Sequence, residues 1–187
     1  VNTIPLLLVT DEYLDSKVRL HGTIVLKDDK YVGEMTFDET AVFNAMIGPV
    51  KTGTLLVRGE DNNIMTLEIV GSKVKTKLQY DGETIKVTKD ITVRTTFAET
   101  QKPIELLQPQ VRNEIIKKEE KTLKQKCEKL FQQWKEKGTD IFKLTAMFQR
   151  EYPHEKPEVE DLIEISEMKV NVNLFIEGST DVTDYVH

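Results

Sequence analysis

Apolar and polar residues alternate through much of this chain. Met65, Leu67 and Ile69 are separated by polar residues, and Val74 and Leu78 are interleaved with Lys73, Lys75 and Lys77. A period of two predicts half-buried strands. In Thr84 to Phe97, the side chains of Ile85, Val87, Ile91, Val93 and Phe97 share one face. Met168, Val170, Val172, Leu174 and Ile176 then alternate with Lys169, Asn171, Asn173, Phe175 and Glu177 in a closing strand that ends at Gly178. Gly71-Ser72 and Asp81-Gly82 separate the earlier runs, and Asp-Gly is a strong signal for a type I′ hairpin. Lys89 falls in phase with the apolar face of its run. This predicts a bulge or strand break near Lys89-Asp90 rather than a buried lysine.

Between Pro109 and Tyr152 the period changes to that of a helix. Val111, Ile115, Leu123, Cys127, Leu130, Phe131 and Trp134 form one stripe on a helix from Pro109 to Lys137, about 43 Å long at the usual rise. Pro109 suits its first turn and Gly138 its C′ position. Asp140 is placed to cap a second helix with a stripe of Ile141, Leu144, Phe148 and Tyr152, ended by Pro153. A short helical turn is expected at 159–163. A sheet with one apolar face and helices with apolar stripes must cover one another. Both helices are therefore expected across one face of a four-stranded sheet, with Phe131, Trp134 and Phe148 as anchors.

Ahead of these elements, Val18 to Leu26 and Tyr31 to Met35 read as strands joined by the turn Asp28-Asp29-Lys30. Asp38 is the expected N-cap of a short helix through Met46, stopped by Gly48-Pro49, and Thr54 to Val57 reads as one more strand. The polar loop Arg58 to Asn63 is the candidate boundary. The expected organisation is a small α+β segment, residues 1–60, left from a preceding domain, and a C-terminal α+β domain, residues 61–187. The expected fold class is α+β. An antiparallel sheet of about four strands carries a long and a shorter helix on one face, with the small α+β segment in front.

Composition narrows the function more than the fold. The chain has 187 residues, 39% hydrophobic and 31% charged, an ordinary globular balance. Its net charge of −6 is spread evenly, with 12 basic and 15 acidic side chains in residues 1–100 and 14 and 17 in residues 101–187. Neither part is built to neutralise a phosphate backbone, so no nucleic-acid partner is expected. The chain begins at Val1 without a methionine and reads as an excised or processed fragment. The apolar run Ile4 to Val9 is far short of the ~20 residues that span a bilayer, and no basic region precedes it. The single cysteine, Cys127, allows no internal disulfide or multi-cysteine metal site and is expected to be a buried, inert thiol.

Candidate chemistry is sparse. His21, His154 and His187 are scattered: His187 is terminal, His154 follows Pro153, and His21 reads as a structural or surface residue. There is no glycine-rich phosphate loop and no nucleophile elbow. Asp11, Glu12 and Asp15 lack the glycine and distal glutamate of a calcium loop. Lys73, Lys75 and Lys77 form either a solvated sheet face or a site for an anionic lipid headgroup or acidic partner. The run Lys117 to Lys121 reads as the wet side of the long helix. No catalytic, cofactor-binding or metal-binding residue is assigned, no cofactor is expected, and partner-binding residues are not placed.

Four segments carry a resemblance. HGTIVLKDDKYVG, His21 to Gly33, resembles a G-T-A-V-F-K-x-D-K-L-V-G segment. TTFAET, with Glu99, resembles a strand leading into a glutamate before a long helix. GTDIFKLTAMFQREYP is similar to D-x-F-x-L-x-x-x-F-x-R-x-x-P through Asp140, Phe142, Leu144, Phe148, Arg150 and Pro153. MKVNVNLFIEG resembles a terminal V-x-V-x-V-x-I-x-x-x-G strand. Together they resemble the C-terminal portion of the C subunit of bacterial spore nutrient germinant receptors, the Ger(x)C lipoproteins, over roughly residues 18 to 178. The chain departs from the pattern at Ile24 and Leu26, where alanine and phenylalanine are favoured, and at Lys143 and Thr145, where glycines are usual. Glu155, Lys156 and Pro157 follow Pro153 where tryptophans are expected.

The resemblance implies a non-enzymatic subunit that acts with integral membrane A and B subunits in nutrient-triggered germination through protein–protein interaction. It also implies a lipid anchor on a cysteine upstream of this sequence, which would hold the protein at the outer surface of the spore inner membrane. The alternative is a small-molecule or lipid binding module using a cleft between the long helix and the sheet. An apolar hollow beneath the Val111 to Trp134 stripe would favour that alternative, and a filled core would favour a scaffold. An enzyme would require at least two shifted titratable groups meeting in a cleft.

Overall fold

The computed structural model describes residues 1–12, 15–58, 64–100, 108–159 and 161–179, with the side chains of 8–20 and 179 excepted. The elements run β1 (Asn2–Glu12), β2 (Asp15–Lys27), β3 (Lys30–Thr36), α1 (Phe37–Ile47), β4 (Gly53–Arg58), β5 (Ile64–Tyr80), β6 (Ile85–Thr100), α2 (Pro109–Glu136), α3 (Leu144–Glu151) and β7 (Ser166–Ser179). They form a three-stranded sheet β1-β2-β3 and a four-stranded sheet β4-β5-β6-β7. The fold is α+β, with the long and the shorter helix packed on the apolar face of the larger sheet.

Two expected strands are one. Met65 to Ile69 and Val74 to Leu78 belong to the continuous β5, and Gly71-Ser72 is no turn: both pair with β6, just after a register shift that skips Val70. The extra residue of a bulge inverts the alternation. Odd positions point to the core before it and even positions after it, which is why the two runs are out of phase. Ser72 is tied there to Val50 by two hydrogen bonds, its N–H to the Val50 carbonyl at 2.8 Å and the Val50 N–H to its hydroxyl at 2.7 Å. The fourth strand of the sheet is β4, which pairs with β5 from Gly53↔Ile69 to Arg58↔Ile64. Residue 60, the expected boundary, thus falls between two paired strands, and residues 59–63 lie outside the described set.

The antiparallel expectation holds for β4 against β5 and β5 against β6, whereas β7 runs parallel to β6. Alternation reports which face is buried and is silent on strand direction. Two local details also differ. The β5–β6 connection is a four-residue loop, not a two-residue type I′ turn. In it the Asp81 carboxylate accepts from the N–H groups of Glu83 and Thr84 at 3.3 and 2.9 Å. The N-cap of α1 is Thr36, not Asp38. Its hydroxyl accepts from the Glu39 N–H while Glu39 accepts from the Thr36 N–H, a reciprocal capping box that places Asp38 in the first turn.

Expected features that are present include the turn at Asp28 and Asp29, both left-handed at φ 50° and 59°, as a type I′ connection requires. Gly138 likewise sits left-handed just past α2. Along α2, Ile115, Cys127, Leu130, Phe131 and Trp134 are buried in the same cluster as Val87, Ile91, Val170 and Leu174 of the sheet. Phe148 of α3 stands edge-on to Tyr80 with ring centroids 5.1 Å apart. The three-stranded sheet joins this core through β3. Gly33, at φ 157°, leaves room for Trp134 and Lys137, and the Lys137 ammonium lies 4.4 Å over the indole.

Gly22 explains part of the His21 to Gly33 segment. It pairs with Thr36 where β2 meets β3, and a Cβ there would stand 2.0 Å from the Met35 carbonyl oxygen, a backbone atom that cannot swing away. Gly22→Ala is expected to lower stability by about 2–4 kcal/mol. Chemical denaturation of the purified variant checks this, and a loss below about 0.5 kcal/mol would show that the strands separate without strain.

Candidate functional site

The most unusual side chain in the core is Lys89. It lies on the buried face of β6 between Val170 of β7 and Thr76 of β5, and only 2% of its surface is exposed. The pairing of β5 with β6 continues unbroken through Thr76↔Lys89 and Lys75↔Asp90, so the bulge expected at Lys89 does not occur. Instead the ammonium donates to the Met46 carbonyl at 2.8 Å and the Thr76 hydroxyl at 3.1 Å. Met46 lies in the last turn of α1, where unpaired carbonyls and the negative end of the helix dipole favour a cation. The register change that sequence alternation suggested is replaced by a specific polar receptor supplied by a distant helix.

Burial pushes the Lys89 amine down from 10.5 to about 8, opposed by the charge of Asp140 and by Cys127. Cys127 is pushed up from 9.0 to about 12, again by burial first. At neutral pH the amine is therefore charged and the thiol neutral. That order leaves no thiolate to act as a nucleophile, and both groups sit in packed core rather than in a cleft. The burial expected for the Cys127 thiol is what the structure shows.

A second polar knot joins the loops around α3. The Asp140 carboxylate accepts from the Phe142 N–H at 3.1 Å and the Thr145 N–H at 2.8 Å, so it caps α3 from ahead of the formal N-cap, Lys143. Asp161 in turn accepts from the Asp140 N–H at 3.3 Å and the Ile163 N–H at 3.5 Å, and pairs with the Lys27 ammonium at 3.5 Å. Phe142 packs between Phe43 and Phe131, with centroids 6.2 and 5.7 Å away. The residues of the Asp140 to Pro153 segment thus fasten α3 and its loop to α1 and α2. Asp161 gave no sign of this in the sequence, because its partners are set by the tertiary fold.

On the surface, Lys73, Lys75 and Lys77 are exposed along the polar side of β5, and His21 and His154 are exposed, while His187 lies outside the described residues. Side chains of Asp11, Glu12 and Asp15 also lie outside them. The segment Lys117 to Lys121 is not wholly wet. Five helical residues cover more than one turn and cannot all face solvent. Glu119 is 7% exposed and its carboxyl is raised by burial, and Glu120 accepts the Leu174 N–H at 2.9 Å. A groove of about 320 Å³ opens between this part of α2 and β7. Among the described residues, no group of three or more His, Cys, Asp or Glu is arranged to hold a metal ion, and no helix is long and apolar enough to cross a membrane.

One apolar core takes in both helices and the sheet, and the two core groups with the largest shifts, Lys89 and Cys127, are each 2% exposed. Comparison with known proteins agrees with the four-segment resemblance. The family model described as spore germination B3/GerAC like, C-terminal, matches residues 21–180, and the chain belongs to that family. The matched stretch is the C-terminal portion of that family. The crystal structure of the GerBC protein shares the fold, with a TM-score of 0.76 and 18% identity, over 94% of this chain and 56% of that one. The chain therefore spans little more than half the length of that protein. No curated protein matches the sequence.

Two measurements test the core. Lys89 binds its proton at 10.5 in the unfolded chain but only below about 8 in the folded one, so its burial penalises folding fully below pH 8 and progressively less toward pH 10.5. Cys127 acts with the opposite sign above pH 9.0, where the unfolded thiol ionises and the buried one does not. Between pH 8 and 9 the wild type should gain about 1 kcal/mol relative to Lys89→Met, read from urea curves of both proteins. Parallel curves at the two pH values would mean the amine is not held in the core. Lys143, at φ 60°, occupies a left-handed position where the family's glycines are usual. Lys143→Gly is expected to raise stability by roughly 0.5–1 kcal/mol, the steric relief exceeding the added chain entropy, and an unchanged or lower midpoint would refute it.

Proposed function

We propose that this chain is a non-enzymatic part of a membrane-associated germinant receptor, contributing to nutrient-triggered germination by protein–protein contact with the integral membrane A and B subunits. A lipid on an upstream cysteine would hold the whole protein at the outer surface of the spore inner membrane. The observation that carries the reading is the family match over residues 21–180, laid on a core in which the α2 stripe is buried. Ile115, Leu130, Phe131 and Trp134, which in a ligand-binding module would line a hollow, are buried in one apolar cluster with Val87, Val170 and Leu174, which supports the scaffold reading. The titratable groups with the largest shifts in the core, Lys89 and Cys127, are enclosed and in unreactive protonation states.

Co-purification of the chain with the A and B subunits in detergent tests this reading. Retention of the chain by one of the receptor subunits, and not by an unrelated membrane protein, is expected. Lys75→Glu, on the polar side of the sheet, reports whether that side takes part: reduced retention places it in the contact, and full retention assigns the contact elsewhere. Equal retention by the unrelated protein would overturn the proposal.

A further inference from the structure

The face of the large sheet turned away from α2 and α3 is basic. Past the bulge in β5, odd-numbered residues of that strand point to solvent, and the pairing carries each row across β6 to β7. Lys77 lies beside Thr88 and Lys169, and Lys75 beside Asp90 and Asn171. Lys73 lies beside Thr92 and Asn173. Alternate residues of a strand stand about 7 Å apart and next-but-one strands about 10 Å, so the four lysines cover a patch of roughly 14 by 10 Å. All four are exposed, and none forms an ion pair among the described residues. The one carboxylate inside these three rows, Asp90, accepts from the Asn171 amide at 2.7 Å. Beyond them, Glu167 is exposed beside Lys86, which pairs with Asp81 at 3.1 Å.

An exposed aromatic borders the patch. In the next row Arg94 stands between Gly71 and Phe175, its charge taken up by Glu177 at 2.6 Å. Phe175 is 52% exposed, and Val70, beside Gly71, 42%. The side chains between the lysines are short, Thr88, Thr92 and Asn173 among them, so the ammonium groups stand clear of a broad face. Lysine is depleted at protein–protein interfaces, where ordering its long chain and stripping its hydration are costly. A layer of anionic headgroups takes the ammonium groups without fixing them, and the headgroup level is where aromatic rings settle. The chain as a whole carries −6. Approach to an anionic surface therefore favours the orientation that puts this patch foremost.

We propose that this face lies on the surface of an anionic lipid bilayer, with Lys73, Lys75, Lys77 and Lys169 meeting headgroup phosphates and Phe175 entering the boundary between headgroups and acyl chains. The contact orients the domain, leaving α2 and α3, on the opposite side of the sheet, turned away from the lipid. It goes beyond the receptor reading and does not rest on it, because the patch is a property of this chain alone. A merely solvated sheet face carries the same residues but has no affinity for vesicles.

The test is co-sedimentation of the chain with phosphatidylcholine vesicles, with and without phosphatidylglycerol. Binding that requires phosphatidylglycerol and weakens with salt is expected. Lys73→Gln, Lys75→Gln and Lys77→Gln together should lower it by roughly tenfold or more, and Phe175→Ser by roughly threefold. Lys117→Gln, Lys121→Gln and Lys124→Gln together change the net charge equally on the α2 side and should lower it by less than about twofold. Circular dichroism of each variant confirms the fold. No binding to phosphatidylglycerol vesicles, equal binding without that lipid, or equal loss in the two lysine triples would overturn the proposal. So would lysine-dependent binding of polyglutamate without vesicle binding, which assigns the patch to an acidic protein. Release by inorganic phosphate beyond that by sodium chloride of equal ionic strength would likewise assign it to free phosphate. Co-purification keeps the two readings apart. Capture of receptor subunits without vesicle binding sinks the lipid contact alone, and vesicle binding without capture of either subunit sinks the receptor reading alone.

Discussion

The ammonium of Lys89 sets the terms for the rest of the molecule. A charge in the middle of an apolar sheet face loses the hydration of water, a penalty of several kcal/mol unless polar groups replace it. Here the replacement comes from two directions, the Thr76 hydroxyl on the neighbouring strand and the Met46 carbonyl at the end of α1. Asp140, ahead of α3, adds a favourable field, and Cys127 of α2 lies close by. Elements from both ends of the chain must therefore be in place for one side chain to be accommodated. The buried charge contributes little net stability, but it discriminates against any packing that leaves the amine without α1.

The same logic accounts for the relation between the two sheets. β4 belongs to the larger sheet although it precedes the polar loop, and α1 follows the smaller sheet yet supplies the receptor for Lys89. Trp134 and Lys137 at the end of α2 press on Gly33 of β3. Lys27 of β2 reaches Asp161, which itself holds the Asp140 turn. With such ties crossing between them, the parts share one core. The surfaces that remain are the polar side of the large sheet and the α2–β7 groove.

Much of this was legible in the residues. Alternation located β6 and β7 and both halves of β5 but gave no strand for β1, the helical stripe identified Cys127, Leu130, Phe131 and Trp134 as core, and Asp28-Asp29 and Gly138 marked a turn and a helix end. Four sequence segments carried the family resemblance, and two of them now have physical reasons in Gly22 and in the Asp140 cap. The groove was not legible: Glu120 and the lysines beside it looked like one solvated run. Only the position of β7 divides them into a backbone ligand, a buried acid and an open basic row.

What the sequence by itself determined is the local and periodic part of the protein. A residue's phase in a strand or helix depends on near neighbours, so burial faces, turns and caps are written there. Tertiary structure alone decided the direction of β7, the merging of two runs into β5 through a bulge, the membership of β4 and the fate of Lys89. Each depends on a partner far along the chain. The in-phase lysine is the clearest case: the pattern registered an anomaly, but only the carbonyl end of α1, more than 40 residues away, made burial cheaper than a break in the strand.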